Sequence, residues 1–382
     1  MNNKKLTFWE SLMLVAGAGI GTGILTIPYA ISKIGIFGTI VALVISYGVS
    51  CILYLIIADL ARNSKKPDDL LSIIDEHLLS VKRKKLLNIL FFVLLVLLLL
   101  ENLVVYILCA SEVLIDLLGI NSVFSKILFY IFSSVVVIFG IKGIGIGEKI
   151  SVALIGTVVL ILTVLSCSDI KGTISFTFGE KETVFAVYGL FMFAFSAIFS
   201  IIQVCNHIEK PNLTGKAIIG GLTLNAIITI IFSISTILGS ETVTEIATIG
   251  LSNGIGMPFV KPLCSILVLF AMFTSFWSSG LAFADVVGNQ MKLSQRVSWL
   301  ISTIPTVLIA IFLPLTVLDY VQIGAGALSV VLVIVVLPAY YNAVKECKET
   351  LIPEKASKSL MLMFAIAVAI ILMAISSFIP IV

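Results

Sequence analysis

Between Leu6 and Ile34 an apolar run is long enough to cross a membrane as one helix. Its middle, however, reads Gly17-Ala18-Gly19-Ile20-Gly21-Thr22-Gly23, with Pro28 following. A glycine costs about 1 kcal/mol against alanine in a helix interior, so four at alternate positions argue against a continuous helix. In hydrocarbon an unwound stretch strands its N–H and C=O groups unless other helices or a water-filled cavity cover it. Secondary transporters build binding sites from such breaks, where free amides face an anion and free carbonyls a cation. A close contact between helices would explain one small-residue pair, Gly17/Gly21 or Gly19/Gly23. The two pairs fall on opposite faces, and one contact needs only one of them. The run therefore reads as a broken helix.

The remainder of the chain sets this break in a membrane. Of 382 residues 59% are hydrophobic and 12% charged, against about 25% charged in a soluble domain. Apolar runs of about 20 residues or more indicate a helical integral membrane protein. The opening Met-Asn-Asn-Lys-Lys leads into a hydrophobic segment too long for a cleavable signal. Six scattered cysteines without CxxC spacing indicate neither a metal site nor a disulfide framework.

Eleven spans can be drawn, at 8–32, 35–60, 86–118, 123–142, 148–168, 184–206, 215–239, 260–288, 297–316, 319–342 and 359–381. The third is long enough to require a strong tilt or an extension beyond the bilayer. With the N-terminus in the cytoplasm, nineteen of the 24 Lys and Arg residues fall on the inner side. Lys33, Lys126, Lys171, Lys181 and Lys261 fall outside. That asymmetry is what the positive-inside rule requires, and it places the C-terminus outside a multi-pass plasma-membrane protein. An odd count suits two inverted five-helix repeats, 1–168 and 184–342, plus an added helix at 359–381. Span 6 is then the partner of span 1 and is expected to break near its middle. Its sequence there, Phe191 to Ser200, has no glycine or proline. The break is expected from symmetry, and an unbroken aromatic span is the alternative.

The first-span residues Gly19-Ile-Gly21-Thr-Gly23-Ile-Leu-Thr-Ile-Pro28 resemble the signature of the amino acid–polyamine–organocation superfamily. The amino acid/auxin permease branch, with its neutral and aromatic amino acid carriers, is most similar. Gly324-Ala-Gly326 with a closing Pro338 in span 10, and Asn206-His-Ile-Glu-Lys-Pro211 after span 6, are also similar to that branch. The resemblance implies an all-α leucine-transporter-like fold with discontinuous spans 1 and 6, and alternating access.

Carried over position by position, the resemblance implies that the amides of Gly21, Thr22 and Gly23 hold a substrate carboxylate. The carbonyls of Gly19, Phe193, Ala194 and Ser196 would take the ammonium. Free amides at a positive helix end do favour an anion. Neither break carries a lysine, arginine or acid, which fits a neutral amino acid. Phe195, among Phe191, Phe193 and Phe199, suggests an apolar or aromatic side-chain pocket, although phenylalanines in a membrane helix also face lipid. Tyr106 on span 3 is a further candidate contact.

In span 8, Ala271, Thr274, Ser275, Ser278, Ala282 and Asp285 share one helical face. Ala-x-x-Thr-Ser at 271–275 resembles the pattern that completes a sodium site in this fold, with the carbonyls of Gly17 and Ile20 as partners. Oxygen-only ligation suits a hard cation, and proton coupling is the alternative. Position 17 is glycine where some sodium-coupled relatives place asparagine. The lysine that replaces sodium in some proton-coupled relatives is expected near Ile155, which is apolar. Glu101 interrupts an apolar run, and an intramembrane acid is a functional-site hypothesis by default. It reads as a candidate proton-coupling carboxyl or as a neutral acid bonded to another helix.

No catalytic cluster of His, Asp or Cys lies at membrane depth, so no enzyme is indicated. The glycines miss the GxGxxG spacing, which argues against a dinucleotide cofactor. The reading is a symporter of neutral L-amino acids, hydrophobic or aromatic ones among them, driven by Na+ or H+. Its partners are the small-molecule amino acid and the lipid bilayer, with no nucleic acid, and no protein partner is inferable. The rival reading is an amino-acid-sensing receptor subunit of the spore-germinant type, a class that uses the same superfamily.

Overall fold

A computed structural model describes residues 5–21, 23–65, 69–78, 84–313, 328–344 and 350–381. Helix α1 (Phe8–Ile20) opens on a capping box: the Thr7 hydroxyl accepts from the Glu10 amide, and the Glu10 carboxylate accepts from the Thr7 amide. This reciprocal pairing satisfies amides that a helix start leaves free. The helix stops at Gly21, whose φ of 22° and ψ of −135° are not helical. Helix α2 (Gly23–Arg62) restarts the chain and bends at Gly35, where φ is 66°. It thereby supplies the second half of span 1 and the whole of span 2. At the bend, Ile36 donates to the Ser175 carbonyl at 2.8 Å and Gly179 to that of Ile34 at 2.9 Å.

The short α3 (Leu70–Leu78) precedes α4 (Lys84–Leu118), the long third span. Spans 4 and 5 are α5 (Ser122–Ile138) and α6 (Gly140–Ser168). Span 6 is two helices, α7 (Lys181–Ala194) and α8 (Ile198–His207). Next come α9 (Thr214–Gly239), the short α10 (Ala247–Ile255), α11 (Val260–Met291) and α12 (Gln295–Phe312). Helix α13 (Leu328–Ala343), with a π-helical stretch at Val331–Val336, and α14 (Leu360–Ser376) complete the described chain. Gly324 and Gly326 lie outside the described residues.

Seven of the described helices have the length and apolarity to cross a membrane, accompanied by four shorter apolar ones. Large apolar side chains stand exposed on outer faces, among them Val44, Phe132, Val164 and Phe364. In a membrane these meet lipid rather than water. Helix α1 is enclosed by α6, α8, α9 and α11, so polar groups at its end must find partners inside the protein.

The face bearing the lysine-rich turns is closed by backbone and charge. Leu6 donates to the His207 carbonyl at 2.8 Å, and Glu209 donates to the Leu6 carbonyl at 2.9 Å. Lys142 of α6 bonds both carboxylate oxygens of Glu10, at 2.6 and 2.8 Å. Asn289 at the end of α11 donates to Asp69 at 2.6 Å. Burial pushes the Asp69 carboxyl above the usual aspartate range, while the bonds from Asn289 and Ser72 pull it down. Breaking the Glu10–Lys142 pair removes about 1 kcal/mol from this closure. Glu10→Gln is therefore expected to speed hydrogen exchange at the Leu6 and Glu209 amides about fivefold. Unchanged exchange would show that the pair does not hold the closure.

Candidate functional site

The two breaks face one cavity. Gly19, Gly21 and Gly23 line it from span 1; Phe193, Ala194 and Ser196 line it from span 6. Asn102 and Tyr106 of α4 and Ser278 and Ser279 of α11 close its sides. Thr22 lies outside the described residues.

The break in span 1 is fixed by what surrounds it. Gly21 adopts a positive φ that a larger residue rarely takes. A Cβ there would lie 2.9 Å from Ser275 Oγ and 3.8 Å from the Tyr106 ring. A Cβ at Gly23 would lie 2.5 Å from that of Ala194, so the two broken spans touch at this point. The restart of the helix at Gly23 leaves its first amides without helical acceptors, at a positive helix end.

The last carbonyls of α1 likewise lack helical donors. Thr274 Oγ1 donates to the Gly17 carbonyl at 3.1 Å and to that of Ala271 at 2.9 Å. Ser275 Oγ reaches Gly17 O at 3.4 Å and Ala18 O at 3.3 Å. Gly17, Ala271, Thr274 and Ser275 are thus brought together. Ile20, fully buried, ends α1 just beyond them.

Span 6 breaks without glycine or proline because other helices supply the lost bonds. Tyr54 donates to the Phe195 carbonyl at 2.7 Å and accepts from the Ala197 amide at 3.0 Å. Asn225 of α9 donates to the Ala194 carbonyl at 3.0 Å and is itself bonded by Thr229. Neither Tyr54 nor Asn225 stands out in the sequence, since each is one polar residue in an apolar run. The Phe195 ring does not line the cavity. It is buried between Phe191 and Tyr47, with centroids at 6.1 Å from both. Phe199 does line it. Tyr106 donates to Asn102 at 3.3 Å within the wall. Glu101 is buried outside the lining, and neither carboxyl oxygen has a hydrogen-bond partner among the described residues.

The residue of span 5 that meets Gly17 is Glu148, not Ile155. Glu148 is fully buried, and its Oε2 abuts the Gly17 backbone so closely that a Cβ at position 17 would overlap it. The small side chain at position 17 is thereby explained, because the carboxyl of Glu148 fills the space a larger residue would need.

Two helices broken against each other, with both breaks lining one shared cavity, define a membrane transporter of the leucine-transporter fold. Two solved structures share this architecture. The crystal structure of MhsT in complex with L-phenylalanine matches with a TM-score of 0.72 at 15% identity, over 97% of this chain and 98% of that one. Mhp1, a nucleobase-cation-symport-1 family transporter in a closed conformation with bromovinylhydantoin bound, matches with a TM-score of 0.65 at 13% identity. That match covers 98% of this chain and 91% of Mhp1. These likenesses establish the fold, an all-α bundle of two inverted five-helix units and one added helix with spans 1 and 6 discontinuous. No curated protein matches the sequence. The chain belongs to the tryptophan/tyrosine permease family, whose sequence profile matches residues 4–376.

Proposed function

We propose that the protein is a secondary active transporter, a symporter of aromatic and related neutral L-amino acids that works by alternating access. One observation carries this reading: the broken ends of spans 1 and 6 line one cavity whose described lining contains no charged side chain. The substrate carboxylate sits at the amides of Gly21, Thr22 and Gly23. The ammonium meets the carbonyls of Gly19, Phe193, Ala194 and Ser196. Phe193, Phe199 and Tyr106 offer the substrate side chain aromatic faces, and Phe195 supports them from behind. The family's name and the phenylalanine bound by MhsT favour an aromatic substrate.

The coupling cation, Na+ or H+, enters below the span 1 break, where Gly17, Ile20, Ala271, Thr274 and Ser275 present oxygens. Glu101 is the second place where a proton could travel with the substrate. Residues 1–168 and 184–342 are the two repeats and 359–381 the added span. The lysine-rich face lies in the cytoplasm with the N-terminus, and the C-terminus lies outside. Within the superfamily we place the chain beside the amino acid/auxin permeases.

Binding of each of the twenty amino acids to purified protein, with uptake into liposomes under sodium and pH gradients, tests the reading. Tryptophan, tyrosine or phenylalanine is expected to bind at least tenfold more tightly than the acidic or basic amino acids. Binding without flux would instead mark a sensor, and no amino acid binding would refute the proposal.

A further inference from the structure

Glu148 is a fully buried acid inside the bundle. Neither carboxyl oxygen has a hydrogen-bond partner among the described residues. An unpaired charge at such a place costs several kcal/mol, and a neutral acid still carries an O–H that needs an acceptor. Helix α6 packs against α1, α5, α9 and α11, and none of these supplies a counter-ion. On α1 the one charged group, Glu10, is taken by Lys142. On α5, Lys126 donates to the Ala310 carbonyl and Tyr130 is bonded to Thr303. Helix α9 carries Lys216. On α11, Lys261 pairs with Asp116, while Cys264 and Asp285 complete its titratable groups. Lys142, Lys149 and Cys167 on α6 itself make no bond to the carboxyl.

What Glu148 does face is a set of oxygens with the same need. Its Oε2 lies against Gly17, and the carboxyl carbon and the Thr274 Cβ would each be 3.1 Å from a Cβ built there. At this spot the Thr274 hydroxyl reaches the Gly17 carbonyl at 3.1 Å, and the Ser275 hydroxyl reaches the carbonyls of Gly17 and Ala18 at 3.4 and 3.3 Å. A carboxylate, two hydroxyls and peptide carbonyls form a donor set for a hard cation. The carboxylate also neutralises the charge that such a cation brings into the membrane.

We infer that the carboxylate of Glu148 is the anionic group that receives the coupling cation, completing the oxygen set of Gly17, Thr274 and Ser275. This rests on the transporter reading and adds to it a residue on span 5. The site joins α1, α6 and α11, so an occupying cation ties the inner half of span 1 to both helices. It also holds the Gly21 amide in place for the substrate. A hard monovalent cation such as sodium is the occupant that this oxygen set fits.

The test needs no amino acid. Thermal melting of the purified wild-type protein is followed as sodium chloride is titrated against choline chloride at fixed pH. A rise in melting temperature with sodium, absent with choline, identifies the ion. That response is expected to vanish, or to need at least tenfold more sodium, in Glu148→Gln, and to persist in Asp116→Asn, which removes an exposed carboxylate away from the site. Glu148→Asp, should the glutamine variant not fold, is expected to keep the response with about tenfold weaker affinity. Radioactive sodium binding gives the same ranking independently. A Glu148→Gln protein that responds like the wild type, or a wild-type protein that does not respond to sodium, would overturn the inference. The twenty-amino-acid panel separates that failure from failure of the transporter reading.

Discussion

Leucine in place of Gly21 is expected to leave a folded protein that no longer binds an amino acid. Gly21 has a φ of 22° and a ψ of −135°, a sparsely populated region where a residue with a Cβ is strained by about 1–3 kcal/mol. Its Cβ would lie 2.9 Å from Ser275 Oγ, and the rest of the side chain would enter the space before Tyr106. The amides assigned to the carboxylate would be displaced and the cavity filled. Affinity for an aromatic amino acid is expected to fall at least hundredfold, about 2.7 kcal/mol. Titration calorimetry measures the loss, with melting and gel filtration reporting the fold. Wild-type affinity in this variant would refute the carboxylate assignment.

Removing the two hydroxyls of α11 together, by Thr274→Ala with Ser275→Ala, is expected to have the next largest effect. These groups donate to the Gly17 and Ala18 carbonyls at the end of α1. A buried acceptor left without its donor costs about 1–3 kcal/mol. The inner half of span 1 would lose its tie to α11, and the cation site two of its oxygens. Uptake in liposomes is expected to fall at least tenfold, and any sodium dependence to disappear. Wild-type uptake with unchanged sodium dependence would remove both residues from the mechanism.

The break in span 1 was legible because its cause is local: alternate glycines weaken a helix wherever they occur. The break in span 6 was not, because its cause is tertiary. Phe191 to Ser200 has no helix breaker, and the interruption at 195–197 is held by Tyr54 and Asn225, distant in sequence. Inverted symmetry was the one sign of it in the chain. The Thr274–Ser275 pair was readable as hydroxyls on one helical face, and the structure sets them on the end of α1.

Glu148 escaped the sequence reading through a boundary. The predicted fifth span began at residue 148, next to Lys149, where an acid looks interfacial. Helix α6 begins at Gly140, so Glu148 lies two turns inside it and faces Gly17. A glycine at 17 and an acid at 148 are each ordinary alone, and only their contact explains both. Phe195 shows the opposite limit. An aromatic residue in a broken span suggested a pocket wall, but Phe195 caps the end of α7 with its ring against Phe191 and Tyr47.

The most direct test of the central claim is an experimental structure of the protein with L-tryptophan bound. The expected density places the carboxylate within hydrogen-bonding distance of the Gly21 and Gly23 amides, the ammonium against the span 6 carbonyls and the ring beside Phe193 and Tyr106. A span 1 helix running unbroken from Phe8 past Pro28, or tryptophan bound away from both breaks, would contradict it.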